Sequence, residues 1–109
     1  MVRATVAAVA QATPTIKTFE LALEAPTPFA AGQWLDVHIP GLETVGGFSL
    51  VSAPAQSLQR VQLAIKESAH PPARWMHRDA AVGAELVVRV GGNVKVSVAL
   101  GLYLVFFFF

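Results

Sequence analysis

Apolar residues recur with a period of two along most of this chain. Phe19, Leu21 and Leu23 alternate with Thr18, Glu20 and Glu24. Leu35, Val37 and Ile39 alternate with Asp36 and His38, and Val61, Leu63 and Ile65 with Gln62, Ala64 and Lys66. Leu86, Val88 and Val90 repeat the pattern against Glu85, Val87 and Arg89. Such alternation turns one side of a strand to the core and the other to water. Val2 to Ala10, small and β-branched, predicts an opening strand, with helix as the competitor because alanine is abundant. The run after Gly46-Gly47 predicts one more short strand, which makes six.

Turn residues separate these runs. Gln11 to Thr15 contains Pro14, Pro26 and Pro28 are expected to end the second strand, and Pro40-Gly41 closes the third. Gln56 to Gln59 reads as a polar turn, and Val82-Gly83 as another. Pro71-Pro72 fits the first turn of a helix, where a missing N–H leaves no intrahelical bond unmade. Ala73 to Arg78 completes that short helix. Six short strands and one short helix predict an all-β fold, a small closed antiparallel barrel.

Composition narrows the function more than the fold. Of 109 residues, 54% are hydrophobic and 14% charged, against about 25% charged in an ordinary domain, so the chain is not disordered. The eight Lys and Arg residues are scattered and the net charge is +1, which gives no footprint for nucleic acid. With no cysteine there is no disulfide, thiolate metal site or cysteine nucleophile. His38, His70 and His77 lack metal-ligand spacing and a third acidic ligand, so no metal is expected. His38 sits on the polar face of its strand and reads as solvated. No Ser–His–Asp or paired-carboxylate constellation is visible.

The stretch richest in candidate chemistry is Gly46-Gly47-Phe48-Ser49-Leu50-Val51-Ser52-Ala53-Pro54. Glycines let a ligand approach the backbone, because no Cβ intervenes. An aromatic ring followed by a hydroxyl suits a planar heteroaromatic ligand with polar edges. The same letters also describe a Gly-rich turn into a core strand, with Phe48 merely buried. Trp75 and Met76 read as side chains closing the barrel end. Lys66 reads as a solvated charge that is also placed, just ahead of the helix, to meet a phosphate.

Three segments in order carry a resemblance: residues 29–40 (Phe29-Ala30-Ala31-Gly32-Gln33-Trp34 onward), Gly47 to Pro54, and Gln62 to Lys66. Together they resemble the flavin-binding domain of the ferredoxin–NADP reductase superfamily. Val45 to Ser49, His70 to His77 and Val88 to Gly92 are similar to a eukaryotic branch of that group. The resemblance implies a six-stranded Greek-key barrel over residues 1–92 that holds FAD or FMN. It also implies a following nucleotide domain for NAD(P)H, and a mitochondrial address. The family signature is Arg-x-Tyr-Ser/Thr. Phe48 takes its aromatic place, stacked on the isoalloxazine, and Ser49 takes the catalytic hydroxyl place near the ring nitrogen that accepts hydride. Gly46 stands where the arginine that holds the diphosphate belongs, and Gly47 follows it. The family's Gly-x-x-Ser helix start falls on His70 to Ala73 without its glycine or serine. Pro72, Ala73 and Arg74 of that first turn, with Lys66, complete the implied cofactor-binding set.

A charge-assisted hydrogen bond contributes about 1.5–3 kcal/mol. Losing the arginine therefore implies roughly ten- to a hundredfold weaker binding. Arg74 and the anion-attracting helix N-terminus are the expected compensation.

Residues 93–109 depart from the family and end in four phenylalanines. The uncharged run Val96 to Phe109 is shorter than the roughly 20 residues of a membrane-spanning helix. It is rich in strand formers, so self-association or a partner contact through it is expected. Val94 to Val98 is a candidate closing piece of the barrel. The expectation is of a flavin domain separated from its nicotinamide domain, by truncation, splicing or a faulty gene model, and inactive alone. A non-catalytic barrel that binds flavin or a partner is the second reading. An oligonucleotide-binding barrel ranks last, because the aromatics lie in apolar runs rather than among basic residues.

Overall fold

The computed structural model describes residues 1–30, 32–51, 55–99 and 102–108, with side-chain surroundings for 1–30, 32–51 and 59–92. Ser52-Ala53-Pro54, the end of the Gly-Gly-Phe-Ser stretch, lies outside them. Six strands form one sheet: β1 (Val2–Gln11), β2 (Ile16–Phe29), β3 (Trp34–His38), β4 (Gly46–Ser49), β5 (Ala55–Lys66) and β6 (Glu85–Gly91). Their order is β4-β3-β6-β1-β2-β5, with antiparallel pairing throughout. A bridge between Leu50 and Leu63, with the Val51 N–H donating to the Gln62 carbonyl at 2.8 Å, brings the two ends of the sheet together. The sheet thus curls into a nearly closed barrel. β6 returns beside β3, which gives the Greek-key order.

The alternating residues fill the barrel. Phe19, Leu21, Leu35, Val37, Leu63, Ile65, Leu86 and Val88 are all buried, and Met76 of the helix α1 (Pro71–Arg78) joins them. A bulge between Val6 and Ala8 adds one residue to β1 and reverses its inward phase. Ala4 and Val6 therefore face the core before the bulge, and Val9 packs against it afterwards.

Two boundaries differ from the pattern-based expectation. Pro26 and Pro28 do not end β2, which continues to Phe29. Both prolines fall where the β2–β5 register shifts, and neither faces a ladder partner. A residue without an N–H is tolerated at such a position. Gln56 to Gln59 is strand rather than turn, because this extension of β2 pairs Thr27 with Leu58 and Phe29 with Ala55.

Val94 to Val98 does not complete the barrel. β7 (Asn93–Ala99) and β8 (Leu102–Phe108) pair with each other in a separate two-stranded sheet. The reason is topological: β6 is already paired on both sides, with β1 and β3, so the strand that follows finds no open edge there.

Candidate functional site

The site is built where β4 meets the start of α1. Leu35 pairs with Phe48 and Val37 with Gly46, so Phe48 and Gly46 lie on the inward side of β4. Gly46 is buried and Phe48 half-buried. A Cβ built on Gly46 would lie 2.6 Å from Phe48 Cε2, 2.8 Å from its Cζ and 2.6 Å from Pro72 Cβ. The space that a side chain at residue 46 would fill is therefore already taken, by the Phe48 ring from one side and the helix start from the other. Gly46, Phe48 and Pro72 form one contact. Ala73, one residue further on, is buried in the core, and Arg74 is exposed.

Ser49 lies on the other side of the strand. It pairs with Trp34 on the outer row of β3, as Gly47 pairs with Asp36, and it is exposed. Adjacent residues of a strand point to opposite faces. The aromatic and the hydroxyl are thus neighbours around the end of β4, not on one surface. Lys66 is exposed at the end of β5, just before the turn that leads into α1.

The start of α1 offers less to an anion than its position suggests. Its first two residues are prolines, which have no N–H, and no side chain caps it. The Arg74 N–H already donates to the His70 carbonyl at 2.9 Å, and the His70 N–H to Ser68 Oγ at 3.2 Å. Among the opening residues Ala73 alone keeps an uncommitted donor. The first turn holds no acid and one arginine. Any anion affinity there rests on side-chain charge.

The helix itself is held firmly. His77 Nε2 lies 2.6 Å from the Ile65 carbonyl, and because a carbonyl only accepts, this nitrogen carries the proton. Lys17 Nζ donates to the His77 carbonyl at 2.8 Å near the helix C-terminus, where a cation is favoured. The Phe19 ring meets the His77 ring edge-on at 6.4 Å. These contacts tie α1 to β2 and β5. Met76 is fully buried and Trp75 partly so, which matches their reading as packing residues.

A second constellation was not read from the sequence. The Trp34 indole N–H donates to Asp36 Oδ1 at 2.9 Å, and Arg89 Nη2 to Asp36 Oδ2 at 3.1 Å. Gly91 and Gly92 lie beneath the indole: a Cβ on either would meet a Trp34 ring atom at 2.6 Å. Gln33 Nε2 donates to the Gly92 carbonyl at 3.2 Å. The Gly-Gly at the end of β6 thus makes room for a tryptophan of the chain itself. Its only sequence signal is the Trp-x-Asp spacing on a strand, and without the β3–β6 register that does not point to residue 91. His38, expected to be solvated, has a buried Nε2 with no hydrogen-bond partner. Among the described residues no three His, Asp or Glu residues group as metal ligands. No described helix is long and apolar enough to cross a membrane.

The six-stranded Greek-key barrel with a short helix against β4 and β5 is the fold of ferredoxin-reductase-type domains. The sequence agrees: the chain is related to oxidoreductase NAD-binding domain-containing protein 1. The protein of that name from Danio rerio is 45% identical over 82 residues, which cover 72% of this chain and 30% of the relative. The chain therefore spans about a third of the length of that relative. The ferredoxin reductase in carbazole 1,9a-dioxygenase superposes with a TM-score of 0.72 at 23% identity, over 83% of this chain and 27% of that one. The flavohem-like FAD/NAD-binding domain of nitric oxide dioxygenase from Vibrio cholerae gives 0.70 at 14% identity, over 85% and 44%. No family model matches the chain.

Proposed function

We propose that the chain is the flavin-binding domain of an NAD(P)H-dependent oxidoreductase, with FAD as its ligand. The observation that carries this reading is the half-buried Phe48 ring against Pro72 at the start of α1, on the barrel type that the Vibrio cholerae FAD/NAD-binding domain shares. Phe48 supplies the flat apolar contact for the isoalloxazine, worth about 0.5–1.5 kcal/mol beyond area burial. Ser49 is the neighbouring hydroxyl and meets the ring edge around the end of β4. Gly46 makes room for the Phe48 ring against Pro72, and Gly47 leaves the outer face of β4 without a side chain beside Ser49. Pro72 and Ala73 form the wall behind it, and Arg74 holds phosphate, with Lys66 as a further cation at that end. When bound, flavin supplies the two-electron chemistry, and this chain's residues bind and orient it. The nicotinamide is placed by a nucleotide domain. The resemblance attaches a mitochondrial address to this reading, which fractionation of cells making the tagged chain would test.

The test compares FAD with riboflavin on wild type and Arg74→Ala, by fluorescence quenching. Arg74→Ala should weaken FAD about ten- to a hundredfold, the loss of one charge-assisted hydrogen bond. Riboflavin, which has no phosphate, should be unaffected. Equal losses for both ligands would show that Arg74 supports the helix instead.

A further inference from the structure

We propose that the chain self-associates through β8. The free edge of Leu102–Phe108 pairs antiparallel with the same edge of a second copy, which joins two hairpins into one four-stranded sheet. The inference is independent of the flavin reading, because neither β7 nor β8 enters that site.

The hairpin stands alone in a single copy. β7 and β8 pair with each other over seven residues each, and among the described residues neither makes substantial contact with a barrel strand or with α1. A two-stranded hairpin with no further strand or helix against it is marginal in water. β8 has β7 on one side and, among the described residues, no strand on the other. Its outer row of N–H and C=O groups is a template for another strand.

The two open edges are not equivalent. Edge strands are ordinarily guarded by a charge, above all lysine, or by proline. β7 carries Lys95, whereas β8, Leu-Tyr-Leu-Val-Phe-Phe-Phe, has neither charge nor proline. The β8 edge is the unguarded one.

Register adds a second asymmetry. Val94 pairs with Phe107, Val96 with Val105 and Val98 with Tyr103. Residues directly opposite share a face, so these six lie on one side of the hairpin. Asn93, Lys95 and Ser97 lie on the other.

A second copy fits this edge better than a lipid bilayer does. Strands that span a membrane need about 9–11 residues and a closed barrel without edges. These strands have seven residues and two open edges. A copy of β8 meets the edge with matching chemistry. About a two-fold axis at Val105, Leu102 falls opposite Phe108 of the second copy, Tyr103 opposite Phe107 and Leu104 opposite Phe106, all favourable cross-strand pairs. The joined sheet ends on both sides in a β7 strand with its lysine, so edge growth stops at two copies. The face with six apolar residues from each copy stays open. Two such sheets therefore stack, and a closed tetramer follows the dimer as concentration rises.

The experiment is sedimentation velocity of the 109-residue chain across the micromolar range, with Val105→Lys, Val105→Glu and Val96→Lys, and circular-dichroism melts to confirm the barrel. Wild type should sediment as a dimer that passes to a tetramer. Val105→Lys and Val105→Glu should each weaken the dimer at least about tenfold, since like charges then lie opposite each other at the axis. An equimolar mixture of the two should recover it. Val96→Lys puts the same charge on the same face one strand further out, and should keep the dimer while losing the tetramer. A monomeric wild type would overturn the inference. Association unchanged in both Val105 variants, or lost in both without recovery in the mixture, would also overturn it. So would growth beyond the tetramer, because the β7 edge would then be unguarded as well. A wild type monomeric on its own that co-sediments with phosphatidylcholine vesicles would overturn it in favour of a lipid surface.

Discussion

Restoring the family's arginine at residue 46 should harm this protein. By motif alone, Gly46→Arg returns a phosphate ligand worth about 1.5–3 kcal/mol. The structure opposes that gain at the first atom of the new side chain. Its Cβ would stand 2.6 Å from Phe48 Cε2 and 2.6 Å from Pro72 Cβ, where carbon atoms pack at about 3.5–4.0 Å. The ring can rotate away, because only its far edge is involved. Pro72 cannot move without α1, and α1 is held by the His77–Ile65 and Lys17–His77 bonds and by buried Met76. Overpacking of this kind costs about 1–3 kcal/mol. Each kcal/mol lowers the Tm of a domain this size by roughly 4–8 °C. The displaced ring is also the proposed flavin contact, so the arginine would be gained at the expense of the stack. Circular-dichroism melts and FAD titrations of Gly46→Ala and Gly46→Arg separate the two effects, since alanine adds the Cβ without the charge. Both variants should melt well below wild type, and neither should bind FAD more tightly. An unchanged Tm together with tenfold tighter FAD binding by Gly46→Arg would refute the reasoning.

Gly91→Ala should cost about 1–3 kcal/mol in urea unfolding, because its Cβ would lie 2.6 Å from Trp34 Nε1 and 2.9 Å from Asp36 Oδ2. In a Trp34→Ala background the same substitution should cost less than half as much, and strict additivity of the two would contradict the assigned role of the glycine. The 109-residue polypeptide, saturated with FAD, should show negligible NADH-dependent dye reduction. The orientation of nicotinamide over flavin, worth on the order of 7–11 kcal/mol in favourable cases, needs a nucleotide site that its sequence does not display. Fusion of a family nucleotide domain after Gly92 should restore activity, and saturable NADH oxidation by the unfused polypeptide with a micromolar half-point would prove this wrong.

The alternating runs carried most of the barrel in plain view. Phe19, Leu35, Val37, Leu63 and Leu86 are core residues because strand periodicity leaves them no other side. The continuation of β2 past Pro26 and Pro28 was hidden, since whether a proline ends a strand depends on whether its partner needs an N–H, and that is a matter of register. The glycines show the same limit. Gly46, Gly91 and Gly92 are local letters whose reasons are non-local: an aromatic ring of the chain sits where each Cβ would be. Sequence alone favours a ligand as the reason for such a gap, because what fills it is set by the fold: Trp34, paired with Gly91 across the β3–β6 ladder, and at Gly46 the Phe48 ring two residues along together with Pro72 of α1. Phe48 and Ser49 were legible as neighbours, and their opposite faces follow from the strand they share. The meeting of Phe48 with Pro72, 24 positions along, required the fold.

The central claim is that this barrel holds a flavin at Phe48. The most direct measurement is the visible absorption spectrum of the purified chain with added FAD, followed by dithionite, in wild type and Phe48→Ala. The account predicts a saturable perturbation of the flavin bands, bleached on reduction and strongly weakened in Phe48→Ala. No saturable change up to about a millimolar, the −4 kcal/mol end of the affinity scale, would contradict it.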